Sequence, residues 1–281
     1  MITKSFCFFE KGYKFFGLFN YTKTQYFFGH MSENCNSQLT QFFSFGYRCS
    51  SAGILKSMQL KYESFPFDWL ISRLDVIKHC LQDDFREFLN QSNYVRKYSK
   101  TYEMIDSDQG YVCDEHLMVN SYYQNPEQMD LENAYGYQLA MNHHNIWLEK
   151  DHDYYIRCVN RFTALMATVH TKNYIHITPL MNVSKYAITK EKMILDFIAF
   201  DEFMYNYSNK KTNGIFFVMV RQNAPETEPY MEVLYSSGVN DTHIYAVYVN
   251  GKMKDAGEIF MCDHPKVLGL IKSVIWAYQI L

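Results

Sequence analysis

The sequence has little of what marks several protein classes. Only 6 prolines and 12 glycines occur in 281 residues, and no low-complexity stretch indicates a flexible linker. The formal net charge of −3 argues against broad electrostatic binding to nucleic acid or to an anionic membrane surface. Lysines interrupt the apolar runs near the N-terminus, so no run there reaches the roughly 18 residues that a membrane span needs. We therefore expect no nucleic acid and no membrane among the partners.

The cysteines form no pattern typical of a disulfide framework or a zinc ribbon. Seven of them stand at positions 7, 35, 49, 80, 113, 158 and 262, and no two form a CxxC pair. An odd, scattered set is typical of a protein from a reducing compartment. We therefore expect a cytoplasmic protein, in the host cytoplasm if the source is a virus.

Motifs for metal and cofactor chemistry are missing as well. The chain has no glycine-rich phosphate loop, GxSxG elbow, kinase signature or acidic metal triad. The adjacent His143 and His144, taken with His116 or His152, lack the spacing of a metal site. We expect no metal and no cofactor, and the sequence does not indicate an oligomeric state.

Aromatic residues are abundant instead, with 24 Tyr and 22 Phe. Together with the many Asn and Lys residues, they are typical of an A+T-rich genome, such as those of several bacteria, protists and large DNA viruses. This composition is a hint about the source and not about the chemistry.

The chain divides into an N-terminal extension and one domain. Residues 1–30 have neither helical nor strand periodicity, so we expect a poorly ordered extension; an artefact of start-codon choice is one explanation for it. Strand and helix signals then continue to the end of the chain. Residues 31–281 are therefore expected to form a single domain.

Strands and helices alternate along this domain, which predicts an α/β fold with a mainly parallel sheet flanked by helices. The predicted strands are 41–46, 99–106, 136–142, 173–180, 213–222, 231–237 and 243–251. The predicted helices are 51–60, 68–82, 152–170, 189–205 and 264–279. In the helix at 152–170, spacing predicts that Tyr155, Val159, Phe162, Met166 and Val169 share the buried face.

Cys49 lies in the turn GYRCSS, where a predicted strand ends and a predicted helix begins. The free amides at a helix N-terminus stabilise a thiolate and can hold a developing oxyanion. Ser50 or Ser51 is placed to cap the helix. Spacing alone leaves open whether Cys49 is a nucleophile or a small core side chain.

The segment NHHN offers a base for such a nucleophile. A cysteine nucleophile needs an imidazole within hydrogen-bond reach, and that imidazole needs an orienting group. His143 and His144 are the candidates, with Asn142 beside them. Neighbouring residues on a strand point to opposite faces, so we expect at most one of the two rings to face the site. The alternatives are an exposed loop pair and one interior histidine with satisfied hydrogen bonds.

The segment FPFDW adds a carboxylate among aromatic rings. Asp68 stands at the start of the helix predicted over 68–82 and is typical of a helix cap. It is also our candidate to orient the catalytic histidine, supported by Trp69. Arg161 either belongs to a solvated helix face or pairs with a buried carboxylate such as Asp68.

These motifs together resemble a known family. Ser44-Phe45-Gly46 with Cys49, then Pro66-Phe67-Asp68-Trp69, then Phe85 and Phe88 are similar to the opening of a papain-like cysteine peptidase family that is otherwise a domain of unknown function. The later segments MNHHN, YYIRCVNRFTALM and NYIHIT are similar to its histidine-containing strand end, arginine-rich helix and following strand. The resemblance covers residues 41–180, and Phe45 stands where the family usually has Leu.

The resemblance implies a Cys–His hydrolase. By carry-over, Cys49 is the nucleophile and His143 or His144 the base, acting on a peptide or on another small acyl or glycan substrate as a peptidase-like hydrolase or an acyl transferase. The name also implies papain's two-lobed α+β fold as the alternative to the α/β prediction. Alternative functions are a non-catalytic ligand-binding module and a viral structural or host-interaction protein.

Overall fold

The structure is a computed structural model that describes residues 9–10, 13–14, 41–47, 49–101, 113–124, 138–141, 143–179, 189–221, 228–237, 242–249 and 265–280. The chain forms two compact units, Met1–Ser37 and Gln38–Leu281. In the first unit, strands β1 (Phe9–Glu10) and β2 (Tyr13–Lys14) pair antiparallel. The rest of the predicted extension over 1–30 lies outside the described residues.

The second unit alternates strands and helices along the chain. Its elements are β3 (Gln41–Ser44), α1 (Ser50–Ser57), β4 (Leu70–Ser72), α2 (Leu74–Gln82), α3 (Arg86–Leu89), a 3-10 turn (Gln91–Asn93), β5 (Tyr94–Thr101), β6 (Cys113–Asn120), β7 (Leu139–Met141), α4 (Glu149–Ala167), β8 (Lys172–Pro179), α5 (Lys190–Tyr207), β9 (Thr212–Arg221), β10 (Tyr230–Ser236), β11 (His243–Val249) and α6 (Pro265–Ile280).

The main sheet has five strands in the order β10-β11-β9-β8-β3. Strands β3, β8, β9 and β11 are parallel, and β10 pairs antiparallel with β11 at one edge. The register places Ser44 beside Ile175 and Ile175 beside Ile215. Apolar runs such as IFFVMV are typical of parallel strands that are buried on both faces. The prediction of a mainly parallel α/β sheet is confirmed, in preference to the α+β alternative.

Helices cover both faces of this sheet. Successive strand residues point to opposite faces, so Phe42 packs with α1 and α6 while Phe43 packs with α2, α4 and α5. On the second face, Phe43 contacts Phe45 and Phe162 edge to face, with ring centroids 5.1 and 5.7 Å apart. Each such aromatic pair stabilises the fold by roughly 0.5–1.5 kcal/mol beyond its buried area.

A second, antiparallel sheet with the order β4-β7-β6-β5 is inserted between α1 and β8. It is tied to the main sheet by Ser72, whose hydroxyl donates to the Gly46 carbonyl at 2.6 Å. Its strand β6 was not predicted. Strand β5 begins at Tyr94, five residues before the start of the strand predicted over 99–106.

The helix predicted over 68–82 is wrong in its first part. Leu70 and Ile71 are both buried and pair with Met141 and Ala140 in β4 and β7. Helix α2 begins only at Leu74, so Asp68 does not cap it. Cross-strand pairing overrides a helical spacing of leucines here, because a strand with both faces buried reads as a continuous apolar run.

The helix predicted over 152–170 is α4, which begins and ends earlier in the chain than predicted, at Glu149 and Ala167. Helix α4 ends at Ala167, and Val169 beyond it is 77% exposed, so its place on the buried face was wrong. Tyr155, Val159, Phe162 and Met166 are buried as predicted. No helix among the described residues is long and apolar enough to cross a membrane.

Candidate functional site

Cys49 lies at the junction between β3 and α1, where the sequence places it. It occupies the N-cap position of α1, and its carbonyl accepts the first helical hydrogen bond, from Gly53 N–H at 2.8 Å. Cys49 is half-buried, whereas Cys80 and Cys158 are buried. The residue is therefore partly accessible to solvent, and it stands beside the first amides of a helix, which favour a negative charge.

Neither of the two serines after Cys49 caps helix α1, so that prediction was wrong. Helix α1 begins at Ser50, so neither serine stands at the N-cap position. Ser51 instead accepts a hydrogen bond from Ile177 N–H at 3.1 Å, which fixes the start of α1 against β8. The Ser50 hydroxyl is buried and finds no hydrogen-bond partner within the described part of the chain.

A histidine that the sequence analysis did not select lies at this end of the sheet. His176 is on β8 beside Ile177, and only 3% of it is exposed. Its Nδ1 lies 2.6 Å from the Phe45 carbonyl oxygen. A carbonyl can only accept, so Nδ1 carries the proton and Nε2 is left with a lone pair. Burial lowers the pKa of His176 to about 4, against the effect of this hydrogen bond.

A cavity of about 500 Å³ opens beside His176. Its lining comes from the ends of the parallel strands, from the start of α2 and from the first half of α5. The lining residues are Tyr47, Arg73, Leu74, Asp75, Lys78, His176, Thr178, Lys192, Met193, Asp196, Phe197, Ala199 and Phe200. Tyr47 stands two residues before Cys49, so the cavity and the cysteine occupy the same carboxyl end of the parallel sheet, where ligands of α/β proteins bind.

The predicted bases, His143 and His144, lie in the loop between β7 and α4. His143 is exposed, and its ring lies edge-on to Trp69 with centroids 6.4 Å apart. His144 stacks on Tyr154 at 4.4 Å, and its Nδ1 lies 3.3 Å from Oδ1 of Asp151. The carboxylate beside His144 is therefore Asp151. Asn142, the predicted support, lies outside the described residues.

Asp68, the predicted orienting carboxylate, is fully buried. Its Oδ1 accepts from the Ser44 hydroxyl at 2.5 Å, and its Oδ2 accepts from Phe65 N–H at 2.6 Å and from the Lys61 ammonium. Burial raises the pKa of Asp68, and the charge of Lys61 opposes that rise. Asp68 thereby joins the segment after α1 to β3.

Arg161 does not supply the cation that pairs with Asp68, because Lys61 does. The Arg161 guanidinium donates instead to the Ser64 carbonyl oxygen at 3.4 Å. Trp69 is half-buried beside His143. The structure therefore places Asp68, Trp69 and Arg161 in or near the FPFDW segment. Asp68 contacts Ser44, Lys61 and Phe65, Trp69 contacts His143, and Arg161 contacts Ser64.

The sequence contained a signal for His176. It is a polar residue within the apolar run YIHIT, near the carboxyl end of a strand that the sequence did predict. The sequence pattern instead predicted His143 or His144 as the base, because these two adjacent histidines stand in a polar segment. No group of three or more His, Cys, Asp and Glu side chains that could hold a metal occurs where the structure describes the chain.

Comparison with known proteins adds one match. The family model described as "Putative papain-like cysteine peptidase (DUF1796)" matches residues 40–198, more than half of the 281 residues. No curated protein and no solved structure matches the chain. The matched segment runs from β3 into α5 and contains Cys49, the PFDW segment, His143, His144 and His176.

Proposed function

Because the chain belongs to this papain-like cysteine peptidase family, we propose that it is a cysteine-nucleophile hydrolase in which Cys49 attacks the carbonyl carbon of an acyl substrate. One observation carries the proposal. Cys49 is a half-buried thiol at the N-cap of α1, at the same sheet end as the cavity that His176 lines. The buried Cys80 and Cys158 lack this access.

His176 is the base that the geometry favours. Its Nδ1–H is held by the Phe45 carbonyl, four residues before Cys49, so the ring is oriented and Nε2 is the accepting atom. The low pKa keeps the ring neutral, and therefore able to accept a proton, throughout the neutral range. Proton transfer from Cys49 to His176 creates an ion pair, and a neighbouring thiolate raises the pKa of an imidazolium. His143 and His144 remain the rival bases.

On an amide substrate, Nε2 of His176 and the Cys49 sulfur act in turn. Nε2 takes the proton of the Cys49 thiol, and the sulfur bonds to the carbonyl carbon. The C–N bond then breaks as the leaving nitrogen takes the proton from Nε2, and a thioester remains on Cys49. Water attacks the thioester and gives its proton to Nε2. The acid leaves and the sulfur recovers its proton, so the net change is amide plus water to acid plus amine.

The substrate in this proposal is a peptide or another small acyl compound, and neither nucleic acid nor a membrane takes part. The reducing compartment that the scattered cysteines indicate would keep Cys49 a thiol. Transfer of the acyl group to an acceptor other than water uses the same thioester. A ligand-binding module without catalysis is the alternative, and the test below separates it from the hydrolase.

The test is trapping of the acyl-enzyme with p-nitrophenyl acetate. We expect a burst of p-nitrophenolate equal to the protein concentration and an acetyl adduct located on Cys49 by peptide mass spectrometry. Cys49→Ser should lose both. His176→Asn should slow acylation by roughly 100-fold or more, as loss of a general base does, while His170→Asn, an exposed histidine, should not change it.

Three outcomes contradict the proposal or part of it. A burst that persists in Cys49→Ser, or an adduct on another cysteine, would remove Cys49 as nucleophile. Loss of acylation in His143→Asn or His144→Asn with an unchanged rate in His176→Asn would transfer the role of base to the β7–α4 loop. A folded wild-type protein that forms no adduct would favour the binding module.

A further inference from the structure

Residues with aromatic rings form much of the wall of the cavity beside His176. Four of them line it and are each more than nine-tenths buried: Tyr47, His176, Phe197 and Phe200. Phe197 stacks on Phe216 with ring centroids 4.6 Å apart and contacts the His176 ring edge to face at 5.7 Å. The packing holds this wall in place before a ligand arrives, which lowers the entropy cost of binding.

The wall suits an aromatic ring. It binds an apolar group by removing it from water, and aromatic side chains attract a further ring in edge-to-face or offset contact. The volume, about 500 Å³, falls within the roughly 300–1,000 Å³ of sites for small organic ligands. Charged residues of both signs also line the cavity, and Lys192 pairs with Asp196 at 2.8 Å. The ligand class therefore follows from the apolar wall and not from charge.

The cavity lies on the side of the base in the proposed reaction. His176 lines it, whereas Cys49 is not one of its lining residues in the part of the chain that the structure describes. Nε2 first takes the thiol proton and gives it to the leaving nitrogen only after the sulfur has bonded to the carbonyl carbon. The leaving group must then lie within hydrogen-bond reach of the imidazole, while the acyl group stays on the sulfur. The free space next to the imidazole is this cavity.

From the aromatic wall and its place beside the base, we propose that the cavity binds the leaving group of the substrate and that this group carries an aromatic ring. An aromatic residue on the carboxyl side of the scissile peptide bond has this chemistry. The inference deepens the proposed function and rests on it. Nε2 handles one proton at a time: it takes the proton from Cys49 before the C–N bond breaks and gives it to the leaving nitrogen as that bond breaks.

The experiment measures how the acetyl-enzyme divides between water and an added amine. Attack by an amine reverses the departure of a leaving group, so the amine occupies the same site. Its nitrogen bonds to the acyl carbon, Nε2 takes its proton, and the C–S bond breaks as the Cys49 sulfur recovers that proton. Wild-type protein is acetylated with p-nitrophenyl acetate and given benzylamine or 2-methoxyethylamine, an amine of similar basicity without a ring.

We expect the benzylamine product to form at least about ten-fold faster than the 2-methoxyethylamine product, because only benzylamine buries a ring. The rates are divided by those of the two amines with a simple thioester in solution. Cys49→Ser protein gives the background from direct reaction of each amine with the ester.

Two Phe→Leu substitutions at buried positions form a matched pair. Phe197→Leu removes one ring from the cavity wall and should lower the ratio of the two amines at least about three-fold. Phe88→Leu removes a ring that is equally enclosed by the core but lies outside the lining, and it should leave the ratio unchanged. If Phe197→Leu does not fold, Ala199→Trp at an exposed position of the lining adds bulk at the cavity and should also lower the ratio.

A second measurement needs no turnover. Binding of 4-fluorobenzyl alcohol, a neutral analogue of an aromatic leaving group, is followed by fluorine NMR with wild-type protein and both Phe→Leu variants. We expect saturable binding with a Kd below about 10 mM, as for other ligands of this size. The affinity should fall at least about three-fold in Phe197→Leu and should not change in Phe88→Leu.

Three results would overturn the proposal. They are equal corrected rates for the two amines, no saturable binding of 4-fluorobenzyl alcohol by folded protein up to about 10 mM, and evidence that the cavity holds the acyl group instead. The last would appear if Phe197→Leu slowed acylation by p-nitrophenyl phenylacetate but not by p-nitrophenyl acetate, with an unchanged ratio of the amines.

Failure of the proposed function gives a different pattern. In that case 4-fluorobenzyl alcohol binds and Phe197→Leu weakens its binding, but wild-type protein forms no acetyl adduct on Cys49. That pattern would overturn the assignment to a leaving group and would leave the cavity as the aromatic-ligand site of a binding module.

Discussion

At the scale of single residues, burial of the His176 ring in the folded protein makes its protonation unfavourable. Its ring contacts the rings of Phe197 and Phe216, with centroids 5.7 and 6.2 Å away, and its pKa is lowered to about 4. The same side chain in an unfolded chain titrates near 6.5. Between these two values the unfolded chain binds the proton and the folded protein does not, so protonation favours unfolding.

We therefore predict that His176 stabilises the fold fully above about pH 6.5 and that this contribution is lost as the pH falls towards about 4. The loss between pH 7 and pH 5 is about 2 kcal/mol. Urea unfolding of wild-type protein and His176→Asn at both pH values measures it. Asn retains an N–H for the Phe45 carbonyl but does not titrate, so its stability should fall by about 2 kcal/mol less than that of the wild type.

The comparison between variants is needed because other buried groups titrate as well. Burial raises the pKa of Asp68 and Asp201, and these carboxyls favour the fold at low pH, in the opposite direction to His176. Both remain in His176→Asn. An equal pH dependence of the two proteins would show that His176 is not held neutral by the fold.

At the scale of elements, Gly214 lets β9 and α5 approach each other. Asp201 of α5 accepts from the Tyr174 hydroxyl at 2.6 Å, from the Thr242 hydroxyl and from Gly214 N–H. A Cβ on Gly214 would lie 2.6 Å from the Tyr174 oxygen and would also clash with the Asp201 carboxylate. One carboxylate thus links α5 to β8, to β9 and to the residue before β11, and the close approach requires glycine.

Gly214→Ala should destabilise the protein by about 3 kcal/mol, because a tightly packed site must shift to admit the methyl group. Gly53→Ala is the matched control: it lies within α1, and nothing approaches its would-be Cβ within 4 Å. It should stabilise the protein by up to about 1 kcal/mol, the difference in helix propensity. Thermal unfolding of both variants checks the pair, and similar effects of the two substitutions would contradict this account of the α5–β9 contact.

The sequence predicted the elements that depend on local pattern. The apolar run of β9 and the amphipathic α4 were found because their period is a property of the segment itself. The helix assigned over 68–82 failed at Leu70 and Ile71, because their strand exists only through pairing with β7, some 70 residues later in the chain. The same limit applies to the candidate site. The turn alone made Cys49 a candidate, whereas the relation of His176 to Phe45 depends on two distant strands meeting.

At the scale of the whole molecule, the buried pair Lys61–Asp68 holds the segment between α1 and β4 against β3 of the main sheet. The Asp68 side chain is fully buried and that of Lys61 is 6% exposed, and Asp68 also accepts from Ser44 of β3. Both charges have lost most of their hydration and depend on each other. A buried pair of this kind is costly to break on one side.

Lys61→Met should therefore destabilise the protein by about 3–5 kcal/mol at neutral pH, since it leaves the Asp68 charge unpaired. The double variant Lys61→Met/Asp68→Asn should recover most of that loss. Lys56→Met, at an exposed lysine in the last turn of α1, is the matched control and should change stability by less than about 0.5 kcal/mol. Chemical unfolding of the three proteins gives the answer, and an equal cost for Lys61→Met and Lys56→Met would show that the pair contributes little.

The placement of helices on the two faces of the main sheet also bears on how such a protein diversifies. Helix α1, which begins after Cys49, belongs to one hydrophobic cluster, and α5, which forms the cavity wall, belongs to the other. The strands lie between them, so substitutions on α5 need not disturb the packing of α1, and effects at such separated sites tend to add. The ligand preference of the cavity can therefore drift over generations while the thiol and its helix stay where they are.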